Sequence, residues 1–170
     1  MEESEMELKK FFLEQLEREG VASRKAIERV PEGKNTWKPH AKSMELGYLA
    51  ALTATMPGWI GMMIRTDEYD LADPNRHRPM VMETRAELLA ALENALADSR
   101  KALNNTTEEH LMKHWKLRMG DMVMSDQPRY AALMDGAITH LAHHRGQLTV
   151  YLRLLESSVP AIYGPSADER

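Results

Sequence analysis

The residues of this chain best suited to chemistry lie near its C-terminal end, in the run His140-Leu-Ala-His-His144-Arg-Gly-Gln147. On an α-helix, His140 and His144 fall one turn apart on the same face, and imidazoles at that spacing can share one transition-metal ion. The same spacing also suits a plain pair of boundary histidines hydrogen-bonded to their neighbours. Gln147 and Tyr151 continue the face by one and two turns. Gln147 is placed to orient an imidazole through a hydrogen bond, and Tyr151 to donate a hydrogen bond to a substrate as a catalytic group. His143 turns to the opposite, wet face. Arg145 points by helical angle toward the apolar side, where a guanidinium needs an acceptor. That acceptor is either a carboxylate or carbonyl of another helix, or an anionic group of a bound substrate.

These residues need a long helix, and the sequence from 125 to 158 supplies one. Met134, Ile138, Leu141, Leu148, Leu152 and Leu155 follow at three- and four-residue steps and draw an apolar stripe. Ser125 or Asp126 is the expected N-cap, with Pro128 in the first turn. Three further helical patterns precede it. Residues 5–29 carry Leu8, Phe11, Phe12 and Leu16, with Gly20 as a weak point. A second helix starts after Ser43 with Leu46, Leu49, Leu52 and Met56, kinks at Pro57-Gly58, and continues to Ile64. A third runs from Glu83 to Asn104 with Leu88, Leu92, Leu96 and Leu103. Residues 66–81, with their aspartates, Pro74, Pro79 and Arg76-His77-Arg78, read as a solvated loop. Thr107 to His110 reads as a helical turn, and 115–125 as a small hairpin or irregular arm around Gly120. His40, His110 and His114 fall at loop edges and are expected in water, as is His77. The expectation is an all-α chain, a four-helix bundle with long interhelical loops, forming a single domain over 1–170.

Composition narrows the function. With a net charge of −4 and pI near 6.0, the chain has no basic field to hold a phosphate backbone, so nucleic acid is not an expected partner. It has no cysteine, which excludes thiolate ligands, cysteine nucleophiles and disulfides and suits a reducing cytoplasm. The acidic start lacks the apolar run of a signal peptide, and no stretch reaches the roughly 18 apolar residues that span a membrane. The 13 methionines read as core filling. No Gly-x-Ser-x-Gly elbow is present.

The last helix, with the tail Val159-Pro-Ala-Ile-Tyr-Gly-Pro-Ser-Ala-Asp-Glu169, resembles that of the DinB/YfiT-like superfamily. The run Trp37-Lys-Pro-His-Ala-Lys-Ser-Met-Glu-Leu-Gly-Tyr-Leu-Ala-Ala51 resembles the family's entry to its second helix. The resemblance implies an up-down-down-up helical bundle, often a homodimer, carrying a divalent metal, commonly nickel or zinc, on three histidines. It implies His140 and His144 as two of those ligands. The third should stand in the second helix, at the position that Leu52 occupies here. A leucine cannot ligate, so a third donor would have to come from elsewhere, for example Asp168 or Glu169 of the tail. Some relatives are thiol S-transferases or isomerases. The implied function is therefore a metal-dependent enzyme acting on a small molecule, with a low-molecular-weight thiol as possible co-substrate, or a hydrolase. The alternative is a metal-free bundle that binds a small molecule or serves as an interaction scaffold.

Overall fold

The computed structural model describes residues 7–75 and 80–170; the run Arg76-His77-Arg78 lies outside them. Four long helical segments pack around one core. Helix α1 (Leu8–Ile27) buries Phe12, Leu16, Ala26 and Ile27 at the three- and four-residue steps of one face. Gly20 does not interrupt it: a Cβ there would stand 2.9 Å from the side chain of Leu96, so the glycine lets α1 approach the helix that carries Leu96 closely. Helix α2 (Leu46–Thr55) is buried almost all round, as its small Ala50, Ala51 and Ala54 permit. It starts three residues beyond Ser43, with Glu45 rather than Ser43 at its N-cap.

Pro57 breaks the second helical segment as expected. A 3-10 turn over Met56–Gly58 joins α2 to α3 (Trp59–Arg65). Groups freed by the break find a partner in Ser99, whose hydroxyl donates to the Pro57 carbonyl at 2.6 Å and accepts from Gly61 N at 3.0 Å. Helix α4 (Arg85–Asn104) opens with a capping box formed by Thr84 and Glu87. A short helix α5 (Glu108–Met112) follows, capped by Thr107.

The chain is mostly helical, and it is not all-α. Three strands form a small sheet in the order β1-β2-β3. They are β1 (Glu68–Asp70), β2 (His114–Met119) and β3 (Met122–Pro128). The loop expected over 66–81 thus contains a strand, paired parallel to β2. The hairpin of β2 and β3 turns at Gly120-Asp121, between paired Met119 and Met122. Gly120 has φ +60°, the positive value that a two-residue turn with glycine first demands. Alternation sorts the strand side chains. Tyr69, Trp115, Leu117, Ser125 and Gln127 face the helices and line a cleft. His114, Lys116, Arg118 and Glu68 face outward, where Arg118 pairs with Glu68 and Lys116 with Asp126.

The sheet also corrects the start of the last helix. Ser125 and Asp126, expected as its N-cap, are strand residues; the helix begins at Arg129, after the extended Pro128. It runs as α6 (Arg129–Leu133), a π-helical turn over Met134–Thr139, and α7 (His140–Leu154). The π-turn shifts the face, and Met134, expected in the core stripe, is 37% exposed. His110 is not solvated as expected: its Nε2 lies 2.9 Å from the Ile64 carbonyl.

Two buried arginines tie these elements together. Arg145 Nη2 meets Glu19 Oε2 at 2.5 Å with both side chains almost fully buried, and Nη1 reaches Ser23 Oγ and the Glu19 carbonyl at 3.2 Å. Tyr163 of the tail hydrogen-bonds both members of the pair. Arg129, fully buried, donates to the carbonyls of Met63 at 2.9 Å, His110 at 2.9 Å and Thr66 at 3.0 Å. It also meets Asp67 at 2.7 Å, but that carboxylate is 92% exposed. Water screens such a pair, so the carbonyl bonds carry the weight.

Arg129→Met should destabilise the protein by about 3 kcal/mol or more, since three inward carbonyls lose their donor. Asp67→Ala should cost under about 1 kcal/mol. Urea unfolding of both variants measures the contrast, and equal losses would contradict it. Burial would raise the Glu19 carboxyl, but hydrogen bonds from Tyr163 and Arg145 outweigh it and hold the carboxyl below its ordinary range. A carboxyl with a lowered folded pKa stabilises fully above its unfolded value, near 4.5, and loses that contribution as pH falls through the folded value. Stability should therefore drop with acid below about pH 4.5. Glu19→Gln should lose about 3 kcal/mol at neutral pH and show a shallower acid slope, read from Tm against pH.

Candidate functional site

The π-turn and the first turns of α7 bring the predicted histidines together. His140 Nε2 and His144 Nε2 stand 2.9 Å apart. His144 is 6% exposed and His140 half-buried. Gln147 bridges the next layer, with Oε1 at 3.0 Å from His144 Nδ1 and Nε2 at 3.1 Å from His143 Nε2. His140 also engages the backbone of Gly136, and Trp59 of α3 meets its ring edge-on with centroids 5.6 Å apart. Burial lowers the pKa of His140, helped by the nearby charges of His144 and His143; the bond to Gly136 opposes the shift. Burial also lowers that of His144, with Gln147 opposing. Both rings therefore favour their neutral forms at neutral pH.

Two hydrogen arrangements satisfy these distances. With Gln147 Oε1 accepting from His144 Nδ1–H and His140 donating to Gly136, two Nε2 lone pairs face each other, and a cation between them would relieve the clash. With the amide turned end for end, which heavy-atom positions permit, the chain His143–Gln147–His144–His140–Gly136 closes in neutral hydrogen bonds. In that chain His144 Nε2–H donates to His140 Nε2.

The surroundings bear on which arrangement holds. Leu52, at the position implied for a third histidine, packs with Met56 and Leu141, and Met44 and Trp59 border them. Thr53 and Thr55, one turn or less away, bond the Leu49 and Ala51 carbonyls. The tail carboxylates are committed elsewhere. Asp168 holds Arg153 and the Val159 N–H, and Glu169 holds Arg29 and the Ala161 N–H. Among the described residues no group of three His, Cys, Asp or Glu side chains is arranged to hold an ion. A three-histidine metal centre does not fit this chain, because its third ligand is replaced by apolar packing.

His140 has a second neighbourhood. It lines a cleft of about 660 Å³ between α3, the π-turn and the inner face of the sheet. Trp59, Met62, Met63, Tyr69, Trp115 and Leu117 are among its large apolar and aromatic wall residues. Asp135 and Gln127 are there too, with Gln127 Nε2 donating to Asp135 Oδ2 at 3.3 Å. The periodicity of the chain gives no sign of Asp135: on a regular helix it points away from His140. Of the remaining predicted site residues, Tyr151 is buried, its hydroxyl donating to the Met44 carbonyl at 3.2 Å and its ring edge-on to Trp37 at 5.4 Å. Arg145 is enclosed by Glu19, Ser23 and Tyr163. Neither Tyr151 nor Arg145 is among the residues lining the cleft.

Known proteins resemble this chain in fold and in sequence. A DinB-like protein (YjoA) from Bacillus subtilis superposes with a TM-score of 0.65 at 19% identity, over 93% of this chain and 98% of that one. A DinB-like protein from Bacillus cereus ATCC 10987 superposes with a TM-score of 0.67 at 21% identity, over 89% and 95%. In sequence, 77 residues are 34% identical to the uncharacterized protein YrdA of Bacillus subtilis; the match covers 44% of this chain and about half, 46%, of that relative's length. The match to the DinB family itself runs over residues 4–170, and by that near-complete coverage this chain belongs to the DinB family.

Proposed function

We propose that this DinB-family chain binds an apolar small molecule in the cleft beside His140, whose ring, held by His144, is a polar group of the cleft wall. The observation that carries this reading is the cleft itself: a cavity of about 660 Å³ walled by aromatic and methionine side chains, with one imidazole of a hydrogen-bonded pair in its wall. Apolar enclosure with a few polar groups is what a ligand site needs. His144, Gln147 and the exposed His143 would hold the His140 ring in one tautomer and orientation through their hydrogen bonds. Arg145 and Tyr151 would position α7 rather than touch the ligand.

A second reading keeps a divalent ion, nickel or zinc, on His140 and His144 alone. The 2.9 Å approach of the two Nε2 atoms favours it. Its readout would be metal-dependent consumption of a low-molecular-weight thiol, abolished by His144→Ala. Two imidazoles without a third protein donor bind such ions weakly.

Two measurements test these readings. The neutral dye N-phenyl-1-naphthylamine should bind saturably, at about one per chain, and Ser125→Phe, which fills the cleft from the sheet side, should abolish binding without lowering Tm. A wild type that takes up no dye would end the cleft reading. Dialysis against nickel or zinc followed by elemental analysis should leave the wild type well below one ion per chain, and Leu52→His should raise it toward one. A wild type that retains a full equivalent would put the second reading first.

A further inference from the structure

The cleft carries a charge preference that its apolar walls alone would not set. Among the described residues lining it, Asp135 is the single aspartate, and no glutamate, lysine or arginine joins it. Among the described residues its carboxylate accepts one hydrogen bond, from Gln127, and no cation pairs with it. The cations of the sheet are turned away and engaged, Arg118 by Glu68 and Lys116 by Asp126. The same cleft is lined by Trp59, Tyr69 and Trp115, and aromatic faces attract organic cations.

We infer that the cleft selects an organic ammonium ion with an alkyl or aromatic body, and that Asp135 is its specificity-determining residue. The body would fill the space between Trp59, Met62, Trp115 and Leu117. The ammonium head would sit at the exposed mouth, where Asp135 meets it while water still covers part of it. A carboxylate-headed molecule of equal length would meet like charge there, with no described cation to receive it. This inference rests on the cleft being a ligand site, as proposed above.

Displacement of bound N-phenyl-1-naphthylamine tests it with three ten-carbon probes, decylamine, decanol and decanoate, each below its micelle concentration. Decylammonium should displace the dye at about fivefold to tenfold lower concentration than decanol, and decanoate should be the weakest. In Asp135→Asn the amine should fall to the level of decanol, while decanol keeps its wild-type value. A ranking without charge order, or one led by decanoate, overturns the inference and leaves the cleft reading standing. An amine preference that survives Asp135→Asn assigns it to the acidic field of the whole chain and overturns the role of Asp135. A wild type that binds no dye overturns both.

Discussion

Everything near the cleft depends on one buried guanidinium. Arg129 is the first residue of the last helix, and its side chain collects the carbonyls of Met63 and Thr66 at the end of α3 and of His110 in α5. Helix C-termini leave carbonyls without partners, and a buried end needs a donor from elsewhere. Each such bond to a charged donor contributes on the order of 1.5–3 kcal/mol. Three together can offset the several kcal/mol lost when a guanidinium leaves water. Because α3, α5 and α6 converge on the same group, the walls of the cleft hold a fixed spacing. The backbone adds to this, with Arg129 N donating to the Lys113 carbonyl at 2.8 Å.

The π-turn then decides what those walls contain. On a regular helix, Asp135 and His140 would stand about 140° apart, with one of them facing away from the cleft. A turn closed by i→i+5 bonds advances less per residue, and five steps return to nearly the same face. That is how a carboxylate and an imidazole come to line one cavity. Gly136, inside the turn, lets Met63 close in: a Cβ there would fall 2.7 Å from Met63 Cε. The turn thus trades regular core packing, seen in the exposure of Met134, for a shared functional face.

Legibility in the sequence follows the range of the interactions. Helices α1, α2 and α4, the break at Pro57, and the pairing of His140 with His144 all arise within a few residues, and their spacing is written locally. Strand β1 was hidden because three residues give too short a run for alternation, and its partner lies some 50 positions away in the chain. The false N-cap at Ser125 has the same origin. Ser125 and Asp126 have capping chemistry, yet cross-strand pairing with Leu117 and Lys116 claims their backbone first. Asp135 stayed out of view because a π-turn has no periodic signature, and Arg129 because a buried arginine reads like a surface one until its acceptors are known.

Leu52 is the residue on which the chemistry turns. A histidine at that position would restore the third ligand that the family resemblance implies and favour a cation between His140 and His144. Leucine instead contributes methyl groups to a cluster with Met56 and Leu141, which lowers the local dielectric and penalises any positive charge beside the pair. The directions of both histidine shifts agree with that environment. Two neutral imidazoles 2.9 Å apart must share one proton, and the Gln147 amide must turn its N–H toward His144 and its oxygen toward His143. The substitution therefore does more than remove a ligand. It favours a hydrogen-bonded arrangement running from the exposed His143 to the cleft wall, in which the two Nε2 atoms satisfy one another without an ion.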